Sequence, residues 1–250
     1  MRGRWVALSI PRRIVTDLMY FSAGLPSIVV QRPMVLAAVA AAREANPDRP
    51  SWTALFTKAY AMLATEFPEL RRAYVRLPWP HLYEYQASAA SVAIERNFDG
   101  EKGLAFLHIN EPAALPIEEV NRLIRHAKSD AYAGSKRYRQ MVRVAKLPLL
   151  LRRSIWWLAL NLARLRANQF GTFGLSAVSS TKTDIIEPRA PLTTVVTYGF
   201  IEADGSVAVR VIFDHRVLDA MTLARALERL EAILNGPIAD ELRAGGKPHA

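Results

Sequence analysis

VAVRVIFDHRVLDAMTLARALERLEAIL, residues 207–234, is the stretch on which the reading of the fold turns. Its first half alternates apolar residues in a β-branched run, Val207, Val209 and Val211 followed by Ile212 and Phe213, which is the pattern of a half-buried strand. From Met221 to Leu234, Leu223, Leu227, Leu230 and Leu234 fall at helical spacing with charges between them. The join between strand and helix is Asp214-His215-Arg216-Val217-Leu218-Asp219. A histidine delivered by a strand end, with a carboxylate four residues on, has the makings of a general base with an orienting partner.

Motif and flanks together resemble the His-x-x-x-Asp-Gly run of the chloramphenicol acetyltransferase and dihydrolipoamide acyltransferase superfamily. The likeness is closer to the catalytic domain of the 2-oxoacid dehydrogenase acyltransferases, whose run reads roughly Phe-Asp-His-Arg-Val-x-Asp-Gly. Here Phe213 to Asp219 keep the pattern and Ala220 replaces the glycine. The resemblance implies an α/β fold, a two-layer sandwich with a mixed β-sheet covered by helices. It extends outward from the motif. Gly171-Thr172-Phe173-Gly174-Leu175-Ser176-Ala177 resembles the family's Gly-Thr-Phe-x-Ile-Ser-Asn strand, and Lys58-Ala59 with Phe67-Pro68-Glu69 resembles its Lys-Ala helix and Phe-Pro-Glu turn. Near the N-terminus Arg12, an apolar pair and Met19 precede a proline-containing strand, as in the family.

Carried over residue by residue, the resemblance makes His215 the base that deprotonates an acceptor thiol or hydroxyl. Ser176 becomes the donor to the tetrahedral oxyanion. Asp219, paired with Arg12, becomes a residue that holds the catalytic loop in shape. The family forms trimers with active sites between neighbouring subunits, so a homotrimer is expected. The co-substrate is expected to be a thioester of coenzyme A or of an acidic acyl carrier protein, with no metal and no permanently bound cofactor. No lipoyl or subunit-binding pattern occurs in the sequence, so the expectation is a stand-alone acyltransferase. A non-catalytic trimeric scaffold or a membrane-surface protein on the same fold is the alternative.

The rest of the chain fits one domain over residues 1–250, with a frayed tail expected over 238–250. Helices are predicted over Met34 to Asn46, from the N-cap Ser51 towards Phe67, and over Ile117 to Lys128. Strands are predicted over Tyr83 to Asn97 and Leu104 to Ile109 around an Asp-Gly turn. His108 reads as a packed core residue, and His126 as a helix-end residue. There is no cysteine, which excludes disulfides, thiolate metal sites and a cysteine nucleophile. No leader pattern and no long apolar run occur, so a cytoplasmic protein is expected.

The net charge of +10 is confined to one segment. Residues 131–183 contain no Asp or Glu but ten Lys or Arg, Arg152 and Arg153 among them, and the remaining chain balances to zero. That distribution argues against nucleic acid as a partner and suits coenzyme A phosphates, an acidic carrier or an anionic membrane surface. Within it, residues 131–169 form a basic, hydrophobic helical insert that the family pattern lacks. Trp156-Trp157 beside Arg152 and Arg153 leaves three readings open. They are a peripheral membrane patch, a lid over a hydrophobic acyl chain, and a core helix with a solvated basic face.

Overall fold

A computed structural model describes residues 1, 3–98, 100–177 and 183–245. In it the 207–234 stretch becomes strand β8 (Ser206–Asp214) and helix α8 (Ala220–Ile233). Leu223, Leu227, Leu230 and Leu234 are all buried. Before them come β1 (Ser27–Val35), β2 (Arg72–Val75), β3 (His81–Glu84), β4 (Ala89–Phe98), β5 (Glu101–Asn110), β6 (Phe173–Leu175) and β7 (Thr194–Tyr198). The helices in chain order are α1 (Ile10–Ser22), α2 (Ala37–Ala45), α3 (Trp52–Glu66), α4 (Ile117–Lys128), α5 (Lys136–Lys146), α6 (Leu149–Asn161), α7 (Ala163–Phe170), α8 and α9 (Ala239–Gly245).

Six strands form one mixed sheet in the order β1-β8-β7-β6-β4-β5, as the α/β reading requires. β6 runs parallel to both β4 and β7, and the other neighbours are antiparallel. Pro33 sits in the edge strand β1, where its missing N–H costs no ladder bond. β2 and β3 form a separate pair. The run predicted as one strand from Tyr83 divides between two sheets: β3 pairs with β2, a pairing that the Tyr85 N–H extends to the Arg71 carbonyl at 3.0 Å, and β4 starts at Ala89 in the main sheet.

Alternation along the strands assigns the two faces. Val92, Ile94, Ala105, Leu107, Val209, Val211 and Phe213 point into the main core with Phe56, Tyr60, Leu223 and Leu227 from the helices. The opposite face presents Ser91, Ala93, Leu104, Phe106 and His108 to α1 and α5–α7. α1 forms across Pro11, a residue that in the bare sequence looks like a break. Ser9 caps it, Pro11 occupies its first turn, and Ile14 and Leu18 are buried one turn apart.

The chain end is a correction. Residues 238–245 are not frayed. A π-type turn over Leu234–Ile238 absorbs Pro237 and leads into α9, and Ile238 of the turn is fully buried together with Ala239 and Leu242 of the helix. Glu241 fastens α9 by accepting hydrogen bonds from Lys58 Nζ at 2.6 Å and the Ile117 N–H at 2.8 Å. The tail beyond residue 245 lies outside the described residues. No helix among the described residues is long and apolar enough to cross a membrane.

Candidate active site

β8 ends at Asp214 and hands the chain to a tight loop that holds His215. The His215 N–H donates to the Pro26 carbonyl at 3.0 Å, and the Val217 and Leu218 N–H groups donate back to the Asp214 carbonyl. The ring Nδ1 lies 2.9 Å from the Leu218 carbonyl. A carbonyl can only accept, so Nδ1 carries the hydrogen and the neutral ring keeps its lone pair on Nε2. The side chain is 46% exposed.

The loop is held by a residue pair that the sequence reading did not assign a role. The Asp214 carboxylate is fully buried and takes a bidentate bond from Arg216, at 2.9 and 2.7 Å, and a further bond from the Arg216 N–H at 3.0 Å. Arg216 stacks over Tyr74 at 4.3 Å, and the bond to Asp214 raises its pKa above the ordinary guanidinium value. The signal was present in the Asp-His-Arg triplet itself, two charges of opposite sign flanking the histidine.

Asp219 does less than expected. Its carboxylate stands 4.0 Å from His215 Nδ1, is 84% exposed, and makes no capping bond from its N-cap position on α8. Arg12 does not reach it. Arg12 pairs with Glu101 at 3.4 Å on β5, because α1 packs over that strand, far from the β8 end. Ala220 opens α8 as an ordinary helical residue, so the position makes no demand for glycine.

Ser176 follows β6, its N–H bonded to the Val196 carbonyl at 3.0 Å. It lines a cavity of about 580 Å³ between the sheet, α1 and α5–α7. His215 does not line it. The register explains why. Leu175 is level with Val196 and hence with Val211; Ser176 lies one residue beyond Leu175 and His215 four residues beyond Val211 in the opposite direction. Five residues at ~3.3 Å each put them about 17 Å apart along the strands, with two strand spacings between. The two do not meet within one chain.

The insert is divided between inside and outside. Arg152 is buried and bonds Asp17 of α1 at 2.5 Å, and Arg153 bonds the same carboxylate at 3.4 Å while lying over the Tyr20 ring. Arg152 is thereby turned inward, away from the acyl-chain or membrane contact expected of it, while Arg153 stays partly exposed. A buried carboxylate needs compensating charge, and these guanidiniums supply it. Trp156 turns inward to the cavity between Phe21 and Phe170, whereas Trp157 is 43% exposed. His108 also lines the cavity. Its Nε2 meets Asn110 Oδ1 at 2.8 Å, its buried Nδ1 has no partner among the described residues, and burial pulls its pKa down to about 4. No cluster of three or more metal-ligating side chains occurs among the described residues.

The mixed six-stranded sheet covered by helices is similar to the fold of dihydrolipoamide acetyltransferase cores and chloramphenicol acetyltransferase. No family model and no curated protein matches the chain by sequence. Solved structures do match it in fold. The dihydrolipoamide acetyltransferase of Azotobacter vinelandii, determined to address the role of a serine, a histidine and an asparagine in its catalytic mechanism, matches with a TM-score of 0.68 at 17% identity, over 95% of this chain and 93% of its own. The cubic core of the pyruvate dehydrogenase multienzyme complex matches with 0.67 at 16% identity, over 95% of this chain and 93% of its own. A chloramphenicol acetyltransferase matches with 0.52 at 14% identity, over 88% and 94%.

Proposed function

We propose that the chain is an acyltransferase that moves an acyl group from a thioester to a thiol, hydroxyl or amine acceptor. The observation that carries this reading is the Nδ1–Leu218 carbonyl bond, which puts a hydrogen on Nδ1 and makes Nε2 the ring nitrogen that accepts a proton. Nε2 takes the acceptor's proton as the acceptor attacks the thioester carbonyl carbon. The resulting oxyanion is steadied by the Ser176 hydroxyl. Collapse expels the thiolate, which recovers the proton from His215. Neither an acyl-enzyme nor a metal is needed. Asp214 and Arg216 position the loop without touching the reacting atoms.

Because Ser176 and His215 lie at opposite levels of the sheet, the site is completed between subunits of a homotrimer, His215 from one copy and Ser176 from the next. The likeness to the core of a multienzyme complex supports such an assembly. Coenzyme A or an acidic carrier protein is the donor that the basic segment suits. Incubating wild type and His215→Ala with short and long acyl thioesters, following free thiol, tests the reading. Turnover that collapses in the variant supports it, and no turnover with any donor sinks it.

A second reading, peripheral attachment of a cytoplasmic protein to an anionic membrane, is favoured by the outer side of α6, where Leu150 is 82% exposed and Leu149, Leu151 and Trp157 are exposed beside basic residues. Flotation with phosphatidylglycerol vesicles tests it, and no flotation of the intact protein overturns it.

A further inference from the structure

The cavity under α5–α7 has walls of one kind. Ala93, Phe106, Met141, Val144, Trp156 and Phe170 supply apolar surface from the sheet floor and the helical roof. Its volume of about 580 Å³ falls within the roughly 300–1,000 Å³ of sites that enclose a small ligand. Its charged lining residues are largely engaged already. Asp17 is neutralised by Arg152 and Arg153, and Arg189 pairs with Glu187 at 2.8 Å, which leaves Arg137 with no ion pair among the described residues. One free cation suits a single carbonyl or carboxylate end and is too little for a polyphosphate. An aliphatic ligand gains dispersion contacts and buries its own apolar surface against these walls.

We propose that this cavity holds a linear aliphatic acyl chain of medium to long length, with its carbonyl end towards Ser176. The proposal rests on the acyl-transfer reading and deepens it by naming the substrate class. Ser176 is the link, since it lines the cavity and is the oxyanion donor of that reading. Trp156 reports on the chain directly.

The experiment is quenching of tryptophan fluorescence by a terminally brominated undecanoate, by its coenzyme A thioester, and by brominated butanoate, all below micelle-forming concentrations. Saturable quenching by both eleven-carbon probes is expected, lost in Trp156→Phe and kept in Trp157→Phe. Removing two methylenes weakens binding about tenfold. Ala93→Phe from the floor and Val144→Phe from the roof, each filling the cavity, are expected to weaken it at least tenfold. If either variant fails to fold, the Trp156 and Trp157 comparison still decides. Unsaturable quenching, unchanged affinity in a folded Phe variant, or quenching that follows Trp157 overturns the proposal. So does quenching by vesicles of brominated phosphatidylglycerol that survives Ala93→Phe, since it places the contact on the outer side of α6. Saturable binding without His215-dependent transfer keeps the cavity assignment and sinks the transfer reading. Transfer of short acyl groups without chain binding does the reverse.

Discussion

Arg216 grips Asp214 through two parallel N–H to carboxylate bonds, at 2.9 and 2.7 Å, with His215 held between them in sequence. Replacing Arg216 by Met removes the cation hydrogen-bonded to a fully buried carboxylate and leaves it only the field of the buried Arg166, which is the costly way to break such a pair. The expected loss is about 3 kcal/mol, measured by urea unfolding. Acyl transfer is expected to fall with it. A stability within about 0.5 kcal/mol of wild type rejects this account of the loop.

Ser176→Ala is expected to lower kcat by about 10²–10³, the usual effect of removing one oxyanion donor, with the melting temperature unchanged. The separation of Ser176 and His215 adds a sharper test. Mixed trimers of Ser176→Ala and His215→Ala chains, each inactive alone, are expected to regain activity at roughly one site in four of a randomly assembled ring. No recovery on mixing argues that each site is built within a single chain.

His108 makes stability depend on pH. Its folded pKa of about 4 lies below the ordinary value of 6.5, because burial disfavours the charged ring. Between those values the unfolded chain binds a proton that the folded chain does not. Stability is therefore full above about pH 6.5 and declines as pH falls towards 4, by at most about 3 kcal/mol. Unfolding free energies at pH 7.5 and 5 check the direction, and His108→Phe is expected to flatten the difference.

Glu241→Ala removes the acceptor shared by Lys58 and the Ile117 N–H, and so detaches α9 from α3 and α4. With Lys58 nearly buried, the expected cost is about 2–3 kcal/mol, again by urea unfolding. Arg12→Ala is the contrasting case. Its pair with Glu101 is exposed, so a change below about 1 kcal/mol is expected, with no effect on transfer.

The parts of the fold that could be read from sequence are those whose periodicity and partners are local. α8 was visible in Leu223, Leu227 and Leu230, and α4 in its predicted span from Ile117 to Lys128. α1 was hidden because Pro11 looks like a break, although at a first turn it is a start. α9 was hidden because Asn235-Gly236-Pro237 reads as a stop, and only burial of Ile238 and Leu242 against distant helices carries the chain through. At the candidate site, His215, Asp219 and Ser176 were named from a resemblance, while their separation needed strand register. The Arg152–Asp17 bond joins residues 135 positions apart, and the cavity beside it is made by packing alone, so neither leaves a mark in any short window of sequence.

The hydrogen bond that sets the His215 tautomer ends on the main-chain carbonyl of Leu218. Every amino acid supplies that oxygen, so no exchange of the side chain at position 218 deletes it. The protonation pattern of the ring is thus insulated from mutation in a way that an Asp or Glu partner could never be. Drift at Asp219 or Ala220 leaves the base intact, and a lineage can silence it only by replacing the histidine or by reshaping the turn that carries it.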